Sequence, residues 1–400
     1  MDLAPWTLNL PGLWQAWSMD FSLTARQAAF RQKVQEFAAN ELEPAAAAQD
    51  RNGRFPLGLV DELAGLGLMG TFVPEEHGGP GEDYVSYVAA LEELSKAWAS
   101  LGAIVSVQNS MVCYPILRFG DESQQLKFLP RLARDKHIGC YAFAEPSAGS
   151  DAGGIQTTAI ADADAFVLNG QKLFVTSGRV AHLAIVYALT DPARGREGLS
   201  AFIVDKDTAG IAVGERQEKL GLHAAETVSL TFSDCRVPKA NLLGGLNRGF
   251  EIARAVVESG RIDIAAQAVG IAQACLDKSV AHAKERRQFG RPIAEFEAIQ
   301  WMLADMSTEI EASRLLMYRA AARRARHQHD APLTLQSSMA KLYASEAANR
   351  AAYSAVQVFG GHGYLQEFPV ERYFRDARAM TLYEETSEIE RLVIEHELAK

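Results

Sequence analysis

The spacing of apolar residues changes period twice along this chain, and that limits the fold more than any single motif. From Thr24 to about Arg134 the spacing is helical. Phe30, Val34, Phe37 and Leu42 recur along one face, and Val60, Leu63 and Leu66 follow before a Gly-rich break, "EEHGGPGED". Near residue 136 the pattern becomes short apolar runs separated by Gly, Pro and Asp: "LAIVYAL", "GLSAFIVD" and "TVSLTFSDCRVP". After about Phe250 long amphipathic segments return, beginning "IDIAAQAVGIAQACLDKSVAHAKERR" and ending with "SEIERLVIEHELAK". Four such segments with short joints predict an antiparallel bundle. The expectation is an α+β chain, mostly α. A helical N-terminal domain spans 19–135, a β-barrel-like middle domain 136–240 and a C-terminal four-helix bundle 241–400. Residues 1–18 read as a poorly structured extension.

Local signals refine this outline. Ser22 or Thr24 is placed to cap the first helix. Asn169-Gly170, between two apolar runs, predicts a hairpin turn. Gly360-Gly361 predicts a helix stop. Ser387 and Glu390 match an S-x-x-E capping box for the last helix, whose buried face is expected to include Ile389, Leu392 and Val393.

Composition excludes several classes. The 400 residues are 48% hydrophobic, enough for a large core and two or three domains. The net charge of -10 is spread without blocks of like charge, against a nucleic-acid arm or a polybasic membrane patch. Cys113, Cys140, Cys235 and Cys275 form no CxxC pair, so neither a metal site nor a disulfide framework is expected, and a reducing compartment fits. No signal, transit or membrane-spanning run is read, so a cytoplasmic location is expected. No strand–GxGxxG–helix unit points to a nicotinamide cofactor.

Four stretches could carry chemistry. "CYAFAEPSAGSDAGG" (140–154) offers a loop whose backbone can approach a ligand closely. "RRQFGRPI" (286–293) brings arginines suited to phosphate oxygens. "VQVFGGHGY" (356–364) places Gln357 beside a glycine cluster, and "YEETSEI" (383–389) puts Glu384 and Glu385 side by side. Each alone also reads as ordinary structure: a loop, a helix C-terminus, a helix stop and an acidic helix entrance.

Together, and with "LFVTSG", "DCRVP", "LADM" and "RDAR" in order between them, these stretches resemble the acyl-CoA dehydrogenase family from about Phe21 to the C-terminus. The motifs are closest to those of short-chain members. The resemblance implies FAD as cofactor, with Thr176 bonding the flavin, and Phe174, Tyr141, Phe143 and Ser150 in the cofactor-binding set. It implies that Arg286, Gln288, Phe289, Gln357 and Gly361 reach the cofactor from a neighbouring subunit, and that Thr386 and Glu388 also touch it. A homo-oligomer follows, with a tetramer the family's common form.

The reaction implied is α,β-dehydrogenation of an acyl-CoA, with electron-transferring flavoprotein as acceptor. Glu384 falls at the catalytic base. A second family location for the base corresponds to Gly260, which has no side chain. Ser150, Glu258, Arg261 and Glu385 fall in the substrate-binding set. The chain departs from the family pattern at Ala144, His223, Ala225 and Glu297, and at Glu385, where a Gly usually follows the base. Glu385 is expected to turn away from the substrate. No Lys or Arg lies between Lys96 and Arg118, where the resemblance implies a cation in members that take dicarboxylic acyl groups, so such a group is disfavoured and a short acyl group, branched and cyclic ones included, is expected. A carrier-protein-bound acyl group, a flavin monooxygenase and a non-catalytic thioester-binding protein are the other readings.

Overall fold

The structure, a computed structural model, describes residues 22–326 and 331–400. The expected extension over 1–18 lies outside the described residues. Seven helices come first: α1 (Ala25–Phe37), α2 (Glu43–Asn52), α3 (Val60–Gly65), α4 (Tyr84–Ala97), α5 (Ala99–Ser106), α6 (Tyr114–Phe119) and α7 (Glu122–Ala133). Thr24, not Ser22, caps α1. Its hydroxyl accepts from Gln27 N–H while the Gln27 side chain accepts from Thr24 N–H, closing a capping box.

α4 is buried on nearly every side, so its two glutamates need partners. Glu92 pairs with Arg314 at 3.0 Å and Glu93 with Arg31 at 2.6 Å. The run Ala99–Phe119, of mean hydropathy 1.3, does reach the length and apolarity of a membrane span, against the expectation from the sequence. It is 94% buried within this fold and serves as core.

The middle segment forms β1 (Gly139–Ala142), β2 (Thr158–Asp162), β3 (Ala165–Thr176), β4 (Leu183–Leu189), β5 (Leu199–Asp205), β6 (Ile211–Val213), β7 (Thr227–Pro238) and β8 (Leu242–Leu243). The sheet runs β6-β7-β3-β2-β4-β5-β8, with β1 joined parallel to β4. Asn169-Gly170 is not a turn. It lies inside β3, where a register shift against β7 at Leu168/Gly170 absorbs it as a bulge. The hairpin turn sits at Ala163-Asp164, between the paired Asp162 and Ala165.

The C-terminal segment has α8 (Gly249–Glu285), a tight ribbon of β9 (Arg287–Gln288) and β10 (Arg291–Pro292), then α9 (Glu297–Ala325), α10 (Ala331–Phe359), α11 (Val370–Met380) and α12 (Ser387–Leu398). α8, α9 and α10 pack together, and α4 lies along α8. Gly270 permits that approach, because a Cβ there would meet Glu92 O of α4 at 2.4 Å. α10 stops as expected, with Gly360 at φ +60°. α11 joins the bundle over residues the spacing had not marked as a helix.

The last helix departs from its local signal. Thr386 is the residue before α12, its side chain makes no capping bond, and Ser387 is already helical. Glu390 does not reach back to the helix entrance, because Arg261 of α8 holds it. Leu392 is 62% exposed rather than buried.

Candidate active site

The site is built where α8, α10 and the loop between α11 and α12 meet. That loop carries Tyr383, Glu384 and Glu385. Glu384 takes φ +60°, in the left-handed region that costs a non-glycine residue roughly 1–2 kcal/mol. Such strain persists only where the surroundings fix it. Glu385 fixes it here: Lys341 Nζ donates to its carbonyl, and its carboxylate accepts from Arg261 Nε at 2.9 Å and Nη2 at 2.5 Å. Arg261 is also 3.2 Å from Glu390. Arg261, Lys341 and Glu390 are all buried.

Glu384 itself makes no such pair. The residue is half-buried, yet both carboxylate oxygens are enclosed and have no hydrogen-bond partner. They lie against Gly260: a Cβ there would sit 1.7 Å from Glu384 Oε2. The glycine at 260 therefore leaves room for the carboxylate of 384. Burial raises the Glu384 carboxyl well above the usual carboxylate range. The Asp263 and Glu385 charges push the same way, while Lys341 and Arg261 oppose them. An enclosed, unpaired carboxylate of high proton affinity is suited to taking a proton from a weak carbon acid.

The Glu385 side chain enters the buried ion cluster with Arg261 and Glu390. Glu258 is buried on α8 and accepts from Thr334 of α10 at 2.6 Å. Ser150 is exposed in the loop after β1. Below that loop, Glu145 accepts from the N–H groups of Gln156 and Thr157 and pairs with buried Lys172 at 2.7 Å.

The middle domain gathers an aromatic wall. Tyr141, Phe143 and Tyr187 pack with ring centroids 5.2–6.1 Å apart. The Tyr141 hydroxyl is enclosed without a partner, and the Glu384 charge acts on it. β3 breaks register at Lys172/Val175, where Leu173 N–H bonds Ala144 O at 2.8 Å and Phe174 takes φ +55°. The break turns Phe174 outward, 66% exposed, two residues before half-buried Thr176. His223 faces elsewhere: its Nε2 is 2.9 Å from Lys219 O and its Nδ1 3.3 Å from Asp50 O, beside α2.

The remaining sequence-predicted residues are not brought to this place. Arg286, Gln288 and the 94%-exposed Phe289 lie at the far end of α8, about 39 Å from Gly260 at helical rise. Gln357 and Gly361 are exposed at the end of α10, and a Cβ at Gly361 would meet nothing within 4 Å. Thr386 is half-buried and Glu388 exposed at the start of α12.

Sequence reasoning did not single out Lys341 or Asp263, and it read Glu390 only as half of a capping box. Asp263 had one visible signal, a lone carboxylate within "RIDIAAQAVGIAQA". Its partners, Tyr84 and Tyr87, are more than 170 positions away, and nothing local announces them.

The chain belongs to the acyl-CoA dehydrogenase family, and members of this family carry FAD. The family's N-terminal domain matches residues 24–136, its middle domain 140–235 and its C-terminal domain 247–399. The chain is 47% identical to an acyl-CoA dehydrogenase of Bacillus subtilis (strain 168), over 93% of this chain and 97% of that one. It is 47% identical to the mitochondrial short-chain specific acyl-CoA dehydrogenase of Mus musculus, over 91% and 88%. The structure of butyryl-CoA dehydrogenase from Megasphaera elsdenii superposes with a TM-score of 0.93 at 40% identity, covering 96% of this chain and all of that one. The residues present fit FAD. The outward apolar ring of Phe174 and the unpartnered Tyr141 hydroxyl suit a planar, polar-edged ring system.

Proposed function

We propose that this protein catalyses FAD-dependent α,β-dehydrogenation of a short-chain acyl-CoA, with Glu384 as the base that removes the α-proton. The observation that carries this is the enclosed, unpartnered Glu384 carboxylate seated against Gly260. Bound FAD supplies the acceptor for the β-hydride. Phe174, Thr176, Tyr141 and Phe143 hold its ring end, with Thr386 and Glu388 adjoining.

Glu384 takes the α-proton because its pocket disfavours the carboxylate, so proton transfer releases a desolvated charge. Arg261 and Glu385 hold the loop that presents the base, and Ser150 and Glu258 complete the substrate side. The short acyl group is supported by the short-chain relatives and by the apolar, cation-free stretch from Ser100 to Leu117.

A homo-oligomer is part of the proposal. Arg286, Gln288, Phe289, Gln357 and Gly361 lie too far along their helices to serve the site of their own chain. A second copy would bring them to it. Electron-transferring flavoprotein is the proposed electron acceptor.

The test is anaerobic titration of the FAD-loaded protein with acyl-CoA thioesters from acetyl to long-chain, with branched and cyclic members. Butyryl-CoA or a near neighbour should bleach the flavin absorbance almost stoichiometrically, and long chains should not. A protein that no acyl-CoA bleaches contradicts the proposal.

A further inference from the structure

α8 presents Gly260, Asp263 and Gln267 one turn apart on one face. The loop of the base touches this face on both sides of Asp263. On one side the Glu384 carboxylate rests on Gly260. On the other, the Tyr383 hydroxyl donates to Gln267 Oε1 at 2.6 Å. Asp263 is fully buried between these two contacts.

Its carboxylate is held in an unusual way. Oδ1 accepts from the Tyr84 hydroxyl at 2.7 Å. Oδ2 accepts from the Tyr87 and Ser106 hydroxyls, each at 2.8 Å. Both oxygens are engaged as acceptors of charge-assisted bonds, which protonation would weaken. That geometry selects the anion. Among the described residues no Lys or Arg comes within ion-pair distance of it. Hydroxyl donors stabilise the anion without cancelling its charge, so its field extends into the low-dielectric surroundings.

We infer that Asp263 is a positioning residue for the base: a hydroxyl-held anion, buried one helical turn from Gly260, that counters the two cations beside the base loop. Those cations are Arg261 on α8 and Lys341 on α10. Glu385 in the same loop acts with Asp263, and the Tyr141 and Tyr383 phenols, on β1 and in the loop, lie within reach of the Glu384 charge. Asp263 itself faces Tyr84 and Tyr87 of α4 and Ser106 of α5. The Arg324 guanidinium of α9 lies 5.2 Å from the Tyr84 ring centre. Burial brings the Asp263 carboxyl up to about 6 against the pull of its hydroxyl donors, so its charge is in place above that pH. Arg261 and Lys341 anchor the base loop through Glu385, and left alone they would make Glu384 a weaker base. Asp263 restores its strength from the opposite side.

The inference deepens the reading of Glu384 as the base, and its test separates the two. Isotope-edited infrared spectroscopy titrates the Glu384 carboxyl directly, with Glu384→Gln identifying the band. In the FAD-loaded Asp263→Asn protein the carboxyl should titrate lower by about one pH unit or more. Asp263→Glu, which restores the charge, should recover most of that shift. The acid limb of kcat/KM for butyryl-CoA should move with the band.

Should Asp263→Asn fail to fold, the combination of Asp263→Leu, Tyr84→Phe, Tyr87→Phe and Ser106→Ala removes the three donors and their acceptor together. It should give the same downward shift. A Glu384 carboxyl that titrates at the wild-type pH in the folded charge-removed protein overturns the inference. A moved band with an unmoved kinetic limb supports it and overturns the base assignment instead.

Discussion

Glu384 Oε2 and Gly260 are so close that a Cβ on the glycine would stand 1.7 Å from the oxygen. The seat of the proposed base depends on the absence of a side chain at Gly260. Gly260→Ala should therefore displace Glu384 while leaving the cofactor residues of β1 and β3 untouched. Turnover should fall by at least about 100-fold, the usual lower value of a positioned base. The FAD content of the purified protein, read from its absorbance spectrum, should stay at wild type. Near-normal turnover in Gly260→Ala would mean that the carboxylate works from another position.

Glu385 ties the loop of the proposed base to Arg261. Glu385→Gly removes one partner of a buried guanidinium, but Glu390 stays at 3.2 Å. Glu385 is also partly exposed, so the cost should fall below the 3–5 kcal/mol typical of a broken buried pair, at about 1–2 kcal/mol. Urea denaturation checks this. Removing the charge also lowers the proton affinity of Glu384, so activity should persist further into acid rather than vanish.

Lys172 and Glu145 form a buried pair under the loop that follows β1. Lys172→Met strands the carboxylate with only its backbone N–H donors. It should destabilise the protein by about 3–5 kcal/mol in chemical denaturation. Burial lowers the Lys172 pKa to about 8, below the value of an unfolded lysine. The unfolded chain then binds more protons between about 8 and 10.5, and this group's contribution makes stability rise with pH across that window. The rise should be absent in Lys172→Met.

The raised Glu384 carboxyl sets the sign of the pH dependence of activity. A base must be ionised to act, so kcat/KM should climb with pH through a limb well above the ordinary carboxylate range. A limb at the position of an exposed glutamate would show that the pocket does not shift the base. The profile is read from steady-state rates with butyryl-CoA.

Much of the fold was legible because its signals are periodic. The helix-to-strand-to-helix order, the Thr24 cap and the Gly360 stop all follow from spacing and from residues with a fixed conformational role. The misreadings came where tertiary contacts outweighed local chemistry. Asn169-Gly170 looks like a hairpin turn, but β3 is held against β7 over its whole length and only bulges there. Ser387 and Glu390 look like a capping box, yet the Arg261 guanidinium draws Glu390 away from the helix entrance.

The site was legible only as a set of motif positions. Its electrostatics were not. Asp263 meets Tyr84 and Tyr87 across more than 170 positions, and Lys341 meets the Glu385 carbonyl across 44. Nor could spacing show that Phe174 leaves the strand alternation, since that depends on a register shift set by β7.

The most direct test of the account is anaerobic stopped-flow reduction of the FAD-loaded protein by butyryl-CoA, wild type against Glu384→Gln. The variant should bind FAD and thioester as wild type does, but bleach the flavin at least about 1,000-fold more slowly. Bleaching of Glu384→Gln at the wild-type rate would contradict the assignment of Glu384 as the base.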